Sequence, residues 1–184
     1  MNQNLENNNY VIVDNFVSVT EAENLYNILI NEINTHSPDV IEPDHDCPLS
    51  PKLYQCRFFL KLLCEKLLFM NEFMGETMLP TYTYARLYKH GETLKKHIDR
   101  DSCEISVTLH LGGDNPWKIY MTKPNGETVG IELKPGQAIV YRGTISEHWR
   151  DAYLGNNYGQ VFLHYVRADG PHWVYYGDQN RYIR

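Results

Sequence analysis

From residue 82 to residue 166 the sequence is cut into short β-forming runs by turn residues, and no other feature limits its fold as strongly. The runs are 82–88, 104–111, 117–122, 128–133, 138–141, 147–150 and 158–166. Between them stand Gly112-Gly113, Pro124-Asn125-Gly126, Pro135-Gly136 and Gly155-Asn156-Asn157. Asn-Gly between two such runs is the strongest short-range hairpin signal. Seven or eight short strands at close, regular spacing specify an antiparallel sandwich or barrel.

The first 80 residues read differently. Residues 1–9 are Asn-rich and read as frayed, and Tyr10–Val13 reads as a strand that stops at Asp14-Asn15. Thr20 followed by Glu23 is a capping-box pattern. It predicts a helix over about 21–34, with Ala22, Leu25, Tyr26, Leu29, Ile30 and Ile33 at helical spacing. Residues 37–51 hold four prolines and several acids and read as a loop. A second helix is predicted over about 52–74, its stripe running through Leu53, Cys56, Leu60, Leu63, Leu67, Met70 and Met74 to a stop at Gly75. The fold class is therefore mainly β with N-terminal helices covering one sheet. One domain spans 1–184, with a helical part over about 1–80 and a β core over about 81–176.

Composition removes several function classes. With 42% hydrophobic and 22% charged residues, the chain is neither disordered, collagen-like nor a coiled coil. A net charge of −6 argues against a nucleic-acid partner. The four cysteines (Cys47, Cys56, Cys64, Cys103) form no C-x-x-C, so neither a disulfide framework nor a structural zinc site is expected. They read as small buried hydrophobes in a reducing compartment. The start has no apolar segment resembling a secretory signal. The greasiest stretch, 58–70, is broken by Lys61, Glu65 and Lys66, so no membrane association is expected. These readings predict a cytoplasmic protein.

One predicted strand carries chemical information. In 104–111 the odd positions Ile105, Val107, Leu109 and Leu111 are aliphatic, while Ser106, Thr108 and His110 are polar. Strand side chains alternate between faces, so one face packs on apolar neighbours and the other meets a polar cavity or solvent. An edge strand with one wet face would show the same pattern.

His97-Ile98-Asp99 puts two metal-capable side chains at i and i+2, a spacing that aims both the same way on a strand. His148 completes two histidines and one carboxylate, the facial set of non-haem Fe(II) oxygenases. Eight histidines and ten aspartates in this length give about 0.4 chance occurrences of H-x-D. The tripeptide alone therefore decides nothing, and its surroundings must.

Those surroundings resemble a known family. Tyr84-Ala-Arg-Leu-Tyr88-Lys-His-Gly-Glu-Thr-Leu-Lys-Lys-His97-Ile-Asp99 is similar to the strand, Tyr, Gly and H-x-D of the 2-oxoglutarate- and Fe(II)-dependent dioxygenases, above all the prolyl 4-hydroxylase catalytic domain. Lys134-Pro-Gly-Gln-Ala-Ile-Val-Tyr141 resembles the strand before the distal histidine of that family. Glu147-His148-Trp149-Arg150 and Gln160-Val-Phe-Leu-His-Tyr165-Val resemble its last two strands. The match runs in order over about 82–167. It implies a double-stranded β-helix, a cupin-like jelly roll with helices on the larger sheet.

The resemblance also implies roles. His97, Asp99 and His148 bind Fe(II), and 2-oxoglutarate chelates it. With O2 the co-substrate gives succinate and CO2 while a substrate is hydroxylated, with ascorbate as an optional reductant. A carboxylate ligand leaves no site for halide, which favours hydroxylation over halogenation. The expected substrate is a prolyl or other amino-acid side chain, in a peptide or a small molecule. The chain departs from the family where a basic residue usually pairs with the 5-carboxylate of 2-oxoglutarate, because Asn156, Asn157 and Tyr158 stand there. A buried carboxylate needs a partner. Arg150, two residues past His148, is the first candidate and Arg142 the second, with His110, Tyr88 and Thr108 as hydroxyl or ring donors.

Other histidines read as structural. His164 reads as an interior side chain, Asp44-His45-Asp46 as a solvated loop, and His36, His90 and His172 as surface groups. A nucleic-acid demethylase of similar fold fits less well, since the chain is acidic and lacks paired arginines after His148. The alternative from another class is a non-catalytic, cupin-like binding or assembly module.

Overall fold

A computed structural model of the chain describes residues 2–37 and 41–178. Among the described residues, ten strands form two antiparallel sheets. The larger has the order β1 (Tyr10–Val13), β8 (Ala138–Arg142), β5 (Ile105–Gly113), β10 (Asn157–Arg167), β3 (Met78–Lys89), β2 (Lys52–Tyr54). The smaller has the order β4 (Leu94–His97), β9 (His148–Arg150), β6 (Ile119–Thr122), β7 (Thr128–Ile131). From β3 to β10 the chain passes repeatedly between the sheets, so that, apart from the β6–β7 hairpin, sequence neighbours lie on opposite walls. This is the jelly-roll topology that the strand pattern anticipates. The hairpin at Asn125-Gly126 joins β6 to β7, with Gly126 at φ +84°.

The alternation in β5 explains both faces of the larger sheet. Ile105, Val107, Leu109 and Leu111 join Val161 and Leu163 of β10 and Ala85 and Leu87 of β3 on its outer face. Against them pack α2 (Val19–Thr35), through Ala22, Leu25, Leu29 and Ile33, and α3 (Arg57–Glu65), through Phe59, Leu62 and Leu63. The even positions of the same three strands face the smaller sheet. Between the sheets lie two apolar clusters. One joins Ile119, Met121, Ile131, Leu133, Ile139 and Tyr141, the other Cys47, Tyr88, Trp117, Tyr153 and Tyr158.

Four local expectations are corrected. The Asn-rich start is ordered as α1 (Gln3–Asn8), because Asn2 caps it by accepting from Asn4 N and Leu5 N and because Leu5 is fully buried. Helix α2 begins at Val19 rather than near residue 21, since Ser18 rather than Thr20 is the cap and accepts from Glu21 N at 3.1 Å. The single helix over 52–74 is three elements. Residues Lys52–Tyr54 pair with β3 as edge strand β2, and the helix that follows breaks at Lys66 into α3 and α4 (Leu67–Met74). At that break Lys66 Nζ donates to Phe16 O at 2.6 Å. Of the cysteines, Cys47 and Cys103 are buried, whereas Cys64 is exposed. No helix among the described residues is long and apolar enough to cross a membrane.

Candidate metal centre and cavity

His97 ends β4 and lies opposite His148 in the register of β4 with β9. Asp99 follows just beyond the strand, where its N–H donates to Gly143 O at 2.8 Å. The two imidazoles and the carboxylate converge. His97 Nε2 lies 3.5 Å and His148 Nε2 3.6 Å from the same oxygen, Asp99 Oδ1. Adjacent ligands of an octahedral metal, each about 2.1 Å from it, lie about 3 Å apart. The three donor atoms therefore need only a small adjustment to grip one ion from one side.

The atoms behind the donors fix which atoms point inward. His97 Nδ1 is 2.7 Å from Lys95 O and His148 Nδ1 is 3.0 Å from Ser146 O, so in each ring the proton sits on Nδ1 and the lone pair on Nε2. Asp99 Oδ2 accepts from Ser106 Oγ and Tyr141 OH, both at 3.0 Å, leaving Oδ1 toward the histidines. Burial works to raise the pKa of Asp99. The contact with His97 and the charges of His148, His164 and His97 outweigh it and hold the carboxyl down to about 2. Burial pushes His148 down, which favours the neutral ring a metal requires. Asp99 also lies near Cys103 and His164, a second cluster of ligand-type atoms. There burial pushes the Cys103 thiol up to about 12, so it stays protonated and is a poor ligand.

Gly143 is required at this point. A Cβ would fall 2.1 Å from Cys103 O and 2.7 Å from Asp99 Oδ2. Only a bare Cα lets the β8–β9 connection approach the carboxylate this closely.

A cavity of about 250 Å³ opens on the three donors. Its walls include Tyr82, Tyr84, Arg86 and Tyr88 from β3, Phe162 and His164 from β10, and Asp44, Asp46 and Cys47 from the loop before β2. Of the residues proposed for the co-substrate, Tyr88 lines this cavity. Arg150 is buried and is not among the residues that line this cavity; its guanidinium lies over the rings of Trp117 and Tyr158. It donates to Trp117 O and Gln160 Oε1, both at 2.8 Å. Thr108 Oγ1 is 3.4 Å from Gln160 Nε2, and the His110 ring stacks on Tyr158 at 4.1 Å. Arg150, Thr108 and His110 thus gather around Gln160 and Tyr158. Arg142 instead lines a separate cleft with Glu104 and Arg167.

His164 is interior and also faces the cavity, its Nδ1 2.9 Å from Ser106 Oγ. Two cavity-lining positions escape the sequence reading. Arg86 is 4% exposed, and its Nη2 bonds to Asp44 Oδ2 and Tyr84 OH. Its Nε and Nη1 are buried with no hydrogen-bond partner. Burial works against its charge, but the surrounding phenols and Asp44 more than offset that, so Arg86 stays protonated. His45 and Asp46 are solvated as expected, whereas Asp44 is half-buried and tied to the cavity wall. Burial favours its neutral form, yet the bonds from Tyr84 and Arg86 hold it down to about 2. The signal for Arg86 was available, because Tyr82, Tyr84, Arg86 and Tyr88 share parity in one strand. Nothing local marks Asp44.

No family model and no curated protein matches the sequence. Solved structures do match. A prolyl-4-hydroxylase from Pseudomonas putida superposes with TM-score 0.71 at 15% identity, over 89% of this chain and 95% of its own. A Burkholderia pseudomallei oxidoreductase of the 2OG-Fe(II) oxygenase family does so with TM-score 0.71 at 14% identity, over 90% and 88%. The viral collagen prolyl hydroxylase of Paramecium bursaria Chlorella virus-1, in its 2OG complex, gives TM-score 0.63 at 15% identity, over 87% and 97%. Across nearly its whole described length, the chain has the fold of the prolyl hydroxylases and other 2OG-Fe(II) oxygenases.

Proposed function

We propose that this protein is an Fe(II)- and 2-oxoglutarate-dependent dioxygenase that hydroxylates an amino-acid group, with prolyl and other amino-acid side chains as the substrate class. The observation that carries this reading is the convergence of His97 Nε2, Asp99 Oδ1 and His148 Nε2 at the floor of a cavity. When bound there, iron and 2-oxoglutarate supply, with O2, the decarboxylation of the co-substrate to succinate and CO2 and the insertion of one oxygen atom into a C–H bond.

The chain's own residues do the rest. His97 and His148 present lone pairs in tautomers fixed by backbone carbonyls. Ser106 and Tyr141 occupy Asp99 Oδ2, so the carboxylate offers the metal a single oxygen and open positions remain for other ligands. Arg150, buried among Trp117, Tyr158 and Gln160, is the partner for the co-substrate's far carboxylate, since a guanidinium fork suits a carboxylate bidentately. Tyr88, Thr108 and His110 surround that position. Leu94 and Phe162 give the cavity an apolar wall that limits water near the metal.

The test begins without oxygen. Fe(II) is added to the protein, then 2-oxoglutarate, while the visible spectrum is followed for the charge-transfer band of the chelate. The expected result is a band that saturates with 2-oxoglutarate, then succinate on admission of air. Neither a band nor succinate would leave a non-catalytic jelly-roll module as the better description.

A further inference from the structure

We infer that His164 contacts the substrate through a bare Nε2 lone pair, so that the substrate carries an N–H or O–H donor close to the carbon that is oxidised. The inference rests on the dioxygenase reading above and narrows its substrate class, because a prolyl ring inside a peptide has no such donor.

His164 lies on β10 and is 5% exposed, yet it lines the same cavity as His97, Asp99 and His148. The Tyr82 ring packs over it at 4.4 Å and the Phe162 ring runs parallel to it at 6.4 Å, so the plane of the imidazole is fixed. One edge of the ring is engaged, with Nδ1 2.9 Å from Ser106 Oγ. The other nitrogen, Nε2, has no hydrogen-bond partner among the described residues. It is not sealed in the protein either, so it opens on the cavity.

The protons around Ser106 decide what Nε2 offers. Ser106 Oγ has one proton and three neighbours, Asp99 Oδ2 at 3.0 Å, Cys103 O at 3.2 Å and His164 Nδ1 at 2.9 Å. A carboxylate and a backbone carbonyl only accept. Were Ser106 to donate to His164, its own lone pairs would face both of those oxygens with no proton between them. Ser106 therefore donates toward Asp99, and His164 Nδ1 donates to Ser106. Burial holds the His164 pKa down to about 4, so the ring carries a single proton and spends it there. Nε2 is left as an acceptor. A ligand that displaces water from it without supplying a donor leaves a buried polar atom unpaired, which is costly.

The first test needs neither metal nor substrate. In isotope-edited nitrogen NMR of the intact, metal-free protein at neutral pH, the His164 ring signals are assigned by their loss in His164→Gln. The expected result is a proton on Nδ1 and none on Nε2. A proton on Nε2, or on both nitrogens, overturns the inference.

The second test gives iron-loaded enzyme, with 2-oxoglutarate in air, a panel of free amino acids and their N-acetyl amides covering every side chain. Substrate-stimulated succinate release is recorded, and mass spectrometry locates the oxygen added. Each active compound is then compared with an analogue in which methyl groups replace the donor hydrogens nearest that carbon. The donor-bearing compound is expected to exceed its methylated analogue at least about tenfold in kcat/KM. In His164→Leu that ratio should fall to within about twofold while the chelate band persists. His164→Gln places an accepting oxygen near the same point and should recover part of the ratio. If His164→Leu does not fold, the wild-type ratio still decides.

A peptide prolyl ring as the best substrate, a wild-type ratio near one, or no stimulation by any compound overturns the inference. A protein that forms no chelate band has lost the dioxygenase reading instead. The NMR result then still decides whether His164 presents an acceptor to the cavity.

Discussion

On the proposed reading Asp99 offers a metal one oxygen, because the hydroxyls of Ser106 and Tyr141 occupy the other. Tyr141→Phe removes one of them at no cost in shape, since the ring remains packed against His148. Residues that orient a metal ligand typically contribute about 10–100-fold to affinity. Tyr141→Phe is therefore expected to weaken metal binding by roughly tenfold, measured by Co(II) or Fe(II) titration. An unchanged affinity would mean that Ser106 alone orients the carboxylate. Arg150→Ala should act on the co-substrate instead, raising the 2-oxoglutarate concentration for half-saturation of the chelate band at least about thirtyfold while iron still binds. Unaltered half-saturation would remove Arg150 from the co-substrate site. At this scale the sequence made geometry legible where a motif and a strand period coincide, in the convergence of His97, Asp99 and His148 and in the polar face of β5. It was not legible where the cavity wall depends on contacts across the chain. Asp44 is in the site only because Tyr84 and Arg86, some forty residues later, bond to it.

Elements position these residues through three strands that obey one rule. In β3, β5 and β10 alternate side chains face helices on one side and the cavity on the other, so the same alternation builds a core and a site. Each of the seven predicted β runs overlaps an observed strand. The helix predicted over 52–74 failed because apolar residues spaced for a helix do not reveal an edge strand three residues long. Leu53 is in the stripe but packs as part of β2. Strand β4 was equally hidden, since Leu94–His97 has little β character in its lysines and is held by pairing with β9. The β8–β9 connection offers a direct test. In Gly143→Ala the new methyl group meets Cys103 O, a backbone atom that cannot swing aside. Overpacking of this kind costs about 1–3 kcal/mol. Thermal unfolding of the metal-free variant should show that loss, and metal affinity should fall with it because Asp99 N–H bonds to Gly143 O. Wild-type values for both would show that the connection relaxes freely.

For the molecule as a whole, a polar site inside a two-sheet core makes folding sensitive to acid. His110 lies between the sheets, 5% exposed, stacked on Tyr158. Burial first, and then the charge of Arg150, hold its pKa down to about 4, whereas an unfolded histidine titrates near 6.5. Between those values the unfolded chain binds a proton that the folded chain excludes, so stability rises with pH across that window. The contribution is complete above about pH 6.5 and is lost as the pH falls toward 4. At roughly 1.4 kcal/mol per unit it amounts to about 3.5 kcal/mol at the most. Denaturant unfolding of the metal-free protein, in steps from pH 8 to pH 4, should therefore show stability falling below about 6.5. His110→Phe keeps an aromatic ring on Tyr158 but has nothing to protonate, so its stability should fall less over the same range. His164, which burial also holds down to about 4, preserves part of the slope in the variant. Parallel curves for the two proteins would mean that His110 is protonated as readily folded as unfolded, and that the interior beside Arg150 is open to water.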